Sequence, residues 1–359
     1  MTVAVIGAGM AGAAAAKTLT MAGWQVDVFD KGRSAGGRMS SKRVAGHYLD
    51  LGAQYFTARS ESFNEQVGQW LSNGLVSKWP AVCYRHEQGQ LLQSSDSTVR
   101  LVGNPSMQAP VKALLADIPV LLNCRISRLH YAADKNAADK NGTDNVANKN
   151  AQSDSGWYLF DQHNKRFGPY TALILALPPV QLHTLLATAA APDGLGYREI
   201  IPIMNQLQAQ AQALLPCWAV NLQLARPLTT DADAIFVKEG NISWLARQNT
   251  KPGRDHMVEN WLVHFSPQCS ILHLEAQPAQ VAALAKAEME LIFDQQLNVI
   301  DTLSHRWLYA QINPAVTQST PDYHAGLKLA FAGDWLKGGR IENAWLSGVA
   351  AAKEIMTHG

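Results

Sequence analysis

Val3-Ala4-Val5-Ile6-Gly7-Ala8-Gly9-Met10-Ala11-Gly12 opens as an apolar run closed by a GxGxxG turn, and an alanine-rich stretch continues to Gly23. A second apolar run, Val26-Asp27-Val28-Phe29, ends in Asp30 and Lys31. The pattern predicts strand, glycine turn, helix and strand, with an acid at the end. Each part has a physical duty toward a bound dinucleotide. Gly7 allows the tight turn, Gly9 lets backbone N–H groups approach a pyrophosphate, and Gly12 lets the helix pack closely on the sheet. Met10 and Ala11 begin that helix, whose positive dipole end faces the phosphates. Asp30 lies eighteen residues after Gly12, where a carboxylate can accept from ribose hydroxyls. The rival reading is a signal peptide. The segment lacks a basic n-region and is too glycine-rich for a good h-region, so it is expected to stay in the mature protein.

At 359 residues the chain is long enough for two domains or one large compound domain. Its 47% hydrophobic content argues against global disorder. Lys and Arg number 30 against 29 acids, so no net field draws nucleic acid or an anionic membrane. The apolar stretch from Thr171 to Pro192 is interrupted by Pro178-Pro179 and His183 and reads as a strand leading into a helix, not a membrane span. Cys83, Cys124, Cys217 and Cys269 are far apart and form no CxxC. They read as buried thiols of a cytoplasmic protein, with no metal site expected. Ten tryptophans suggest a site lined with flat rings, although core packing claims most tryptophans in any protein.

Outward from the opening motif, Tyr48 to Phe56 is β-type and ends in a glycine bend. Ser60 is placed to cap a helix running to Leu71, and Trp79 to Leu92 reads as a hairpin around Glu87-Gln88-Gly89. A helix is expected from Pro105 through Leu115 and a strand from Val120 to Tyr131. The segment 132–155 repeats Ala-Ala-Asp-Lys-Asn and has almost no large apolar side chain, so it reads as a flexible surface insertion without chemistry. Strands are expected at 157–160 and 167–177, then helices at 181–190 and 199–214. Strands at 217–224, 234–238, 242–247 and 258–266 suggest a second sheet. A long helix at 278–298, strands at 305–310 and 327–332, and a helix from 342 to 356 complete the chain.

The choice between FAD and NAD rests on two further segments. Gly36-Gly37-Arg38 follows Asp30 closely; its backbone can close over a pyrophosphate, and its arginine can neutralise phosphate charge. Near the other end, Leu329-Ala330-Phe331-Ala332 runs into Gly333-Asp334, a carboxylate placed for a ribitol hydroxyl, and a helix follows through Asn343 and Ala344. Cofactor-binding pieces at both ends mean a discontinuous domain. The fold class is therefore α/β: a Rossmann-type FAD-binding domain with an interleaved α+β substrate domain on a mixed or antiparallel sheet. The expected division is 1–57, 101–178 and 320–359 for the cofactor domain, and 58–100 and 179–319 for the substrate domain.

These segments resemble the flavin-containing amine oxidase superfamily, and within it the renalase-like branch. The resemblance is carried by the opening glycine turn, Gly36-Gly37-Arg38-Met39, Asp50-Leu51-Gly52-Ala53-Gln54-Tyr55-Phe56-Thr57, Lys251-Pro252-Gly253-Arg254, His305-Arg306-Trp307, and Gly333-Asp334-Trp335 through Ala344-Trp345-Leu346-Ser347-Gly348. Asn343 departs from a glycine and Cys269 from an aromatic that are frequent there. The resemblance implies a glutathione-reductase-like cofactor domain with amine-oxidase topology and non-covalent FAD. It implies hydride transfer to flavin N5 and reoxidation by O₂ to hydrogen peroxide. For the renalase-like branch it implies oxidation of dihydronicotinamide isomers of NAD(P)H, a metabolite repair. A flavin amine oxidase acting on a small amine is the alternative enzyme; an FAD-binding protein with little turnover is the alternative of another class. Its partners are then the small-molecule substrate and O₂, in a monomer or weak homodimer.

Hydride transfer from a dihydropyridine needs no strong base, so the expected site is aromatic and poor in titrating groups. Gln54, Tyr55, Phe56, Trp244, His264 and Trp335 are the candidates for the flavin-facing wall. Each aromatic has core packing as its simpler reading, and His264, between Val263 and Phe265, can equally be a structural histidine. Arg247, Lys251 and Arg254 form a basic cluster that could meet a substrate pyrophosphate or lie in a solvated loop. The cofactor contacts expected are Gly7, Gly9, Met10, Ala11, Gly12, Asp30, Lys31, Gly36, Gly37, Arg38, Gln54, Gly333, Asp334, Asn343 and Ala344.

Overall fold

The computed structural model describes residues 1–132, 155–189, 197–316 and 323–358. Except for its two end residues, the expected insertion at 132–155 lies outside the described residues. The opening motif forms the predicted strand Thr2–Ile6, helix Met10–Met21 and strand Gln25–Phe29. These strands sit in the middle of a six-stranded sheet. Across it run Tyr323–His324, Leu329–Phe331, Ala172–Leu175, Thr2–Ile6, Gln25–Phe29 and Val120–Leu121, parallel except at the Tyr323–His324 edge. Strands from residue 2 and residue 329 thus belong to one sheet, as the paired end motifs predict.

Ala172–Leu175 and Leu329–Phe331 are wholly apolar because both faces are covered, while Gln25–Phe29 carries Asp27, which accepts from the Tyr170 hydroxyl. Side chains alternate between two cores. Val3 and Val5 point into the core beneath helices Met10–Met21 and Ile341–His358, whereas Ala4 and Ile6 join Leu159, Leu182 and Leu207 on the other face. That second face carries a three-stranded sheet, Ile126–Ala132, Gly156–Asp161 and Arg166–Tyr170, and helices Pro179–Ala187 and Tyr197–Ala209. The two helices of the first face meet through small residues. A Cβ on Gly348 would stand 2.0 Å from the Ala11 carbonyl oxygen, and one on Gly12 would stand 1.8 Å from that of Gly7.

A seven-stranded sheet supplies the second layer system, in the order Val299–Ile312, Leu214–Leu224, Glu259–Phe265, Ile242–Arg247, Ala234–Val237, Cys83–Glu87 and Gln90–Gln93. It is antiparallel except between Ala234–Val237 and Cys83–Glu87, so it is mixed. Helix Pro278–Phe293 packs on one face against Val220, Leu222, Val263 and Phe265. The opposite face presents Ala219, Leu262, Trp244 and Ala246 to the loop at Leu51 and to the first core.

Several elements differ from the sequence reading at their ends. The strand expected from Val120 to Tyr131 is two strands in different sheets, separated at Asn123, whose φ of 54° breaks the extended backbone. Residues 167–177 likewise divide between two sheets at Thr171. The helix starting at Pro278 stops at Phe293, because Asp294 takes a left-handed conformation at φ 49°. Ser60 stands at the N-cap of helix Glu61–Ser72, yet its hydroxyl does not cap that helix; it donates to Glu342 Oε1 at 2.7 Å. The same oxygen accepts from the Ser60 and Arg59 backbone amides, so the cap comes from the far end of the chain.

Gly348→Val should lower stability by about 2–3 kcal/mol, because the helix pair cannot part without losing its core contacts. Gly68→Ala, on an exposed helical position with nothing within 4 Å, should raise it by about 0.5–1 kcal/mol. Urea denaturation midpoints of the two variants check the contrast.

Candidate functional site

Helix Met10–Met21 begins at Gly9 with no side-chain cap and no acid in its first turn, so its positive end is left uncompensated. A Cβ built on Gly9 meets only Gly37 Cα, at 3.8 Å; any larger side chain would fill the space in front of the turn. The Gly36 amide donates to the Ala8 carbonyl at 2.9 Å, which lays the second glycine turn against the first. Gly36 and Gly37 have φ values of 142° and 54°, conformations open to glycine. An uncapped helix start, a cradle kept clear by glycine and an adjoining arginine are a donor set that suits a pyrophosphate.

Asp30 serves the turn itself. Its Oδ2 accepts from the Ala8 amide at 2.7 Å and its Oδ1 from the Gly32 amide at 2.6 Å. Lys31 reaches toward Gln181 Oε1 at 3.4 Å, and burial, with Arg125 nearby, lowers its pKa. Arg38 and Asp334, expected as two separate cofactor contacts, are ion-paired with each other across 296 residues of chain. Arg38 Nη1 also donates to the Ala310 carbonyl at 3.0 Å. The guanidinium therefore joins the second glycine turn, the C-terminal segment and the long edge strand of the seven-stranded sheet. Gly333 donates its amide to Ser347 Oγ at 3.1 Å; Asn343 donates to the Lys337 carbonyl at 2.6 Å, and Ala344 is buried in the first core.

The turn at residues 50–56 hangs on Asp50, which is fully buried. Its Oδ2 accepts from Arg254 Nη2 at 2.6 Å and faces Lys251 Nζ at 3.4 Å, while its Oδ1 accepts from Ser41 Oγ at 2.5 Å and the Met107 amide at 3.2 Å. Burial alone would raise the Asp50 pKa, but Lys251 and Arg254 together with these hydrogen bonds hold it below its ordinary value. Burial pushes Lys251 down to about 8 against the pull of Asp50. The basic cluster, read as a substrate-pyrophosphate contact or a solvated loop, is committed inside the protein: Lys251 and Arg254 serve Asp50, and Arg247 is paired with Glu259. A buried carboxylate demanded the cations that solvent or a ligand would otherwise have met.

The wall candidates separate in the same way. Gln54 has both amide hydrogens committed, to the Asp50 and Gly52 carbonyls, and its Oε1 accepts from Lys251 Nζ at 2.8 Å. It braces the turn from within. Tyr55 and Phe56 point to opposite sides of the extended chain. Phe56 packs with Phe63 and Trp70 in the core, away from the wall. Trp335 is 1% exposed and donates to the Leu177 carbonyl, so it too is a core residue. Tyr55 and Trp244 come together with ring centroids 5.5 Å apart, and Phe236 stands 4.7 Å from Trp244. His264 lies opposite Trp244 in the strand register, with Nε2 3.1 Å from the Leu51 carbonyl. That carbonyl also accepts from Trp307 Nε1 at 2.9 Å. Burial drives His264 down to about 4, the Leu51 bond opposing and Lys251 reinforcing, so the imidazole is neutral at neutral pH.

Three residues of this region were not singled out in the sequence as site candidates. Asp50 carried a signal, an acid inside the apolar run Tyr48-Leu49-Asp50-Leu51. Arg100 and Phe236 carried none, since an arginine opening a short strand and a phenylalanine within one are ordinary. Among the described residues no group of His, Cys, Asp and Glu is placed to hold a metal ion, and no helix is long and apolar enough to cross a membrane. All four cysteines are buried and unbonded.

A model of the NAD(P)-binding Rossmann-like domain matches residues 5–71. A stretch of 53 residues is 45% identical to the 1-hydroxycarotenoid 3,4-desaturase of Flavobacterium sp. (strain P99-3), which covers 15% of this chain and only 11% of that enzyme. Among solved structures, reduced UDP-galactopyranose mutase superposes with a TM-score of 0.74 at 9% identity, covering 100% of this chain and 96% of that one. Cyclohexylamine oxidase from Brevibacterium oxydans IH-35A does so with a TM-score of 0.69 at 14% identity, covering 99% and 98%. The likeness is one of fold, end to end, and it includes enzymes of different chemistry.

Asp50→Asn should leave two buried cations short of their counter-charge and cost about 3–5 kcal/mol, whereas Lys251→Met keeps the Asp50–Arg254 pair and should cost clearly less in urea unfolding. For His264 the unfolded ring binds a proton below its ordinary 6.5 but the folded ring does so only near about 4. Its stabilisation is full above the first value and is lost as pH falls toward the second. His264→Gln should flatten the decline in thermal midpoint across that window.

Proposed function

We propose that this protein is an FAD-dependent oxidoreductase that binds FAD non-covalently and oxidises a small molecule, its best candidate a dihydronicotinamide isomer of NAD(P)H. One observation carries the reading: the clear, uncapped helix start in the turn from Gly7 to Gly12 is closed by Gly36-Gly37-Arg38, and Arg38 is ion-paired with Asp334 from the other end of the chain. The end-to-end likeness of fold to cyclohexylamine oxidase, an oxidase by name, supports it. We assign residues 1–57, 101–178 and 320–359 to the cofactor domain and 58–100 and 179–319 to the substrate domain.

When bound, the flavin supplies a hydride acceptor at N5 and a route for the electrons to O₂, yielding hydrogen peroxide. The first-turn amides of helix Met10–Met21 would hold the pyrophosphate, and Asp30 keeps the turn in shape through its two backbone hydrogen bonds. Arg38, ion-paired with Asp334, would stand beside it. Tyr55, Trp244 and His264 form the substrate-side wall. His264 takes up a proton only at about 4, which makes it a weak base, and Lys251 is tied to Asp50, so the wall offers no strong base. That suits a dihydropyridine, which gains aromaticity on losing hydride. It suits less well an ammonium substrate, which must first lose a proton.

Anaerobic stopped-flow mixing tests the proposal. Protein purified with FAD should be bleached by 2- or 6-dihydroNAD(P) and not by small amines. Bleaching by amines alone would move the assignment to an amine oxidase, and no bleaching by either would leave an FAD-binding protein with little turnover. A colourless protein that cannot be reconstituted with FAD would overturn the reading altogether.

A further inference from the structure

Seven of the ten tryptophans have an indole N–H that is buried or hydrogen-bonded to the protein, and six of these donate to a protein acceptor. Trp79 donates to Thr250, Trp157 to Leu327, Trp218 to His273, Trp261 to Glu259, Trp307 to Leu51 and Trp335 to Leu177. Trp244 differs. It is 8% exposed, and its buried Nε1 has no partner among the described residues. An indole nitrogen can only donate, and a buried donor left without an acceptor forfeits the hydrogen bond it made with water.

Arg100 stands in the same cluster. It is 4% exposed, with Nη2 on Asp96 at 2.5 Å and Nη1 on the Thr98 carbonyl at 3.1 Å, both toward its own loop. Its Nε is buried without an acceptor among the described residues. The guanidinium carbon lies 5.3 Å from the Tyr55 ring centroid and 5.7 Å from that of Phe236, the same two rings that flank Trp244. The aromatic faces that would attract an organic cation therefore already hold one. The Tyr55 hydroxyl serves Arg100, which leaves Trp244 Nε1 as the donor without an acceptor.

We propose that Trp244 and Arg100, set against Tyr55 and Phe236, are the specificity-determining part of the substrate site, selecting an uncharged planar ring that carries a hydrogen-bond acceptor, such as a ring carboxamide, over an organic cation. The inference rests on the oxidoreductase reading above and names the feature its substrate must carry. Trp244 Nε1 donates to the acceptor, the plane lies against the aromatic cluster rather than between its rings, which already touch, and Arg100 disfavours positive charge. A dihydronicotinamide meets this description; an alkylammonium does not.

Calorimetric titration with benzamide and with benzylammonium tests it on the purified protein and on Trp244→Phe, which keeps a ring but removes the donor. Wild type should bind benzamide, and Trp244→Phe should bind it about fivefold to tenfold more weakly, the loss expected for one hydrogen bond. Benzylammonium should bind wild type at least about tenfold more weakly than benzamide, given a resident cation on the rings. The thermal midpoint of Trp244→Phe should stay at or above that of wild type, because the deleted donor had no partner to lose. Equal benzamide affinity in the two proteins, no benzamide binding to wild type, or tighter binding of benzylammonium would each overturn the proposal. Calorimetry does not depend on flavin: a colourless protein with the expected benzamide difference sinks the oxidoreductase reading alone, and a yellow protein without that difference sinks this one alone.

Discussion

Asp50 is a carboxylate with no exposure to water, and much of the molecule is arranged around that fact. A buried charge is tolerated only when its surroundings replace the lost hydration. Here the replacement comes from distant stretches of chain: the Ser41 hydroxyl, the Met107 amide, and the Lys251 and Arg254 side chains. Holding these donors on one carboxylate brings the 41–50 hairpin, the loop at 103–107 and the loop at 248–254 to the same point. Gln54 and Gln248 satisfy the remaining protons of Lys251. The turn that carries Tyr55 toward the wall is thereby fixed from beneath, and the Leu51 carbonyl, with His264 and Trp307 upon it, fixes it to the seven-stranded sheet.

A second closure acts at the sheet of the dinucleotide fold. The chain begins and ends in adjacent layers: helix Ile341–His358 lies on helix Met10–Met21 through small residues, and the Arg38–Asp334 pair bonds the segments in front of them. Glu342 adds a third tie by capping helix Glu61–Ser72. Burial opposes ionisation of that carboxyl, but hydrogen bonds from Ser60 and Arg59 prevail and lower its pKa. These charged ties join segments remote in sequence, whereas Arg100, beside the Tyr55 ring, is paired with Asp96 four residues away.

Much of the architecture was legible before any coordinates. Period and glycine spacing located the strand–turn–helix–strand opening, and the acid at Asp30 marked the end of its second strand, because these are local properties of consecutive residues. The long helices and most sheet strands were found for the same reason. Boundaries failed where a single residue changed the backbone, at Asn123 and Asp294, since Asn and Asp tolerate the left-handed conformation without requiring it.

The sequence by itself determined the α/β class, the pairing of end motifs in one sheet, and which residues are chemically able to cradle a pyrophosphate. Only the tertiary structure decided which of those residues are committed to each other. Lys251 and Arg254 could be ligands or a solvated loop and are counter-ions of Asp50; Phe56 and Trp335 could be wall or core and are core; Arg100 looks ordinary and lies over the rings of Tyr55 and Phe236. The reason is range. Helix and strand patterns are set by neighbours a few residues away, whereas a side chain's partner is set by which remote segments the packing brings within about 3 Å, the reach of a hydrogen bond.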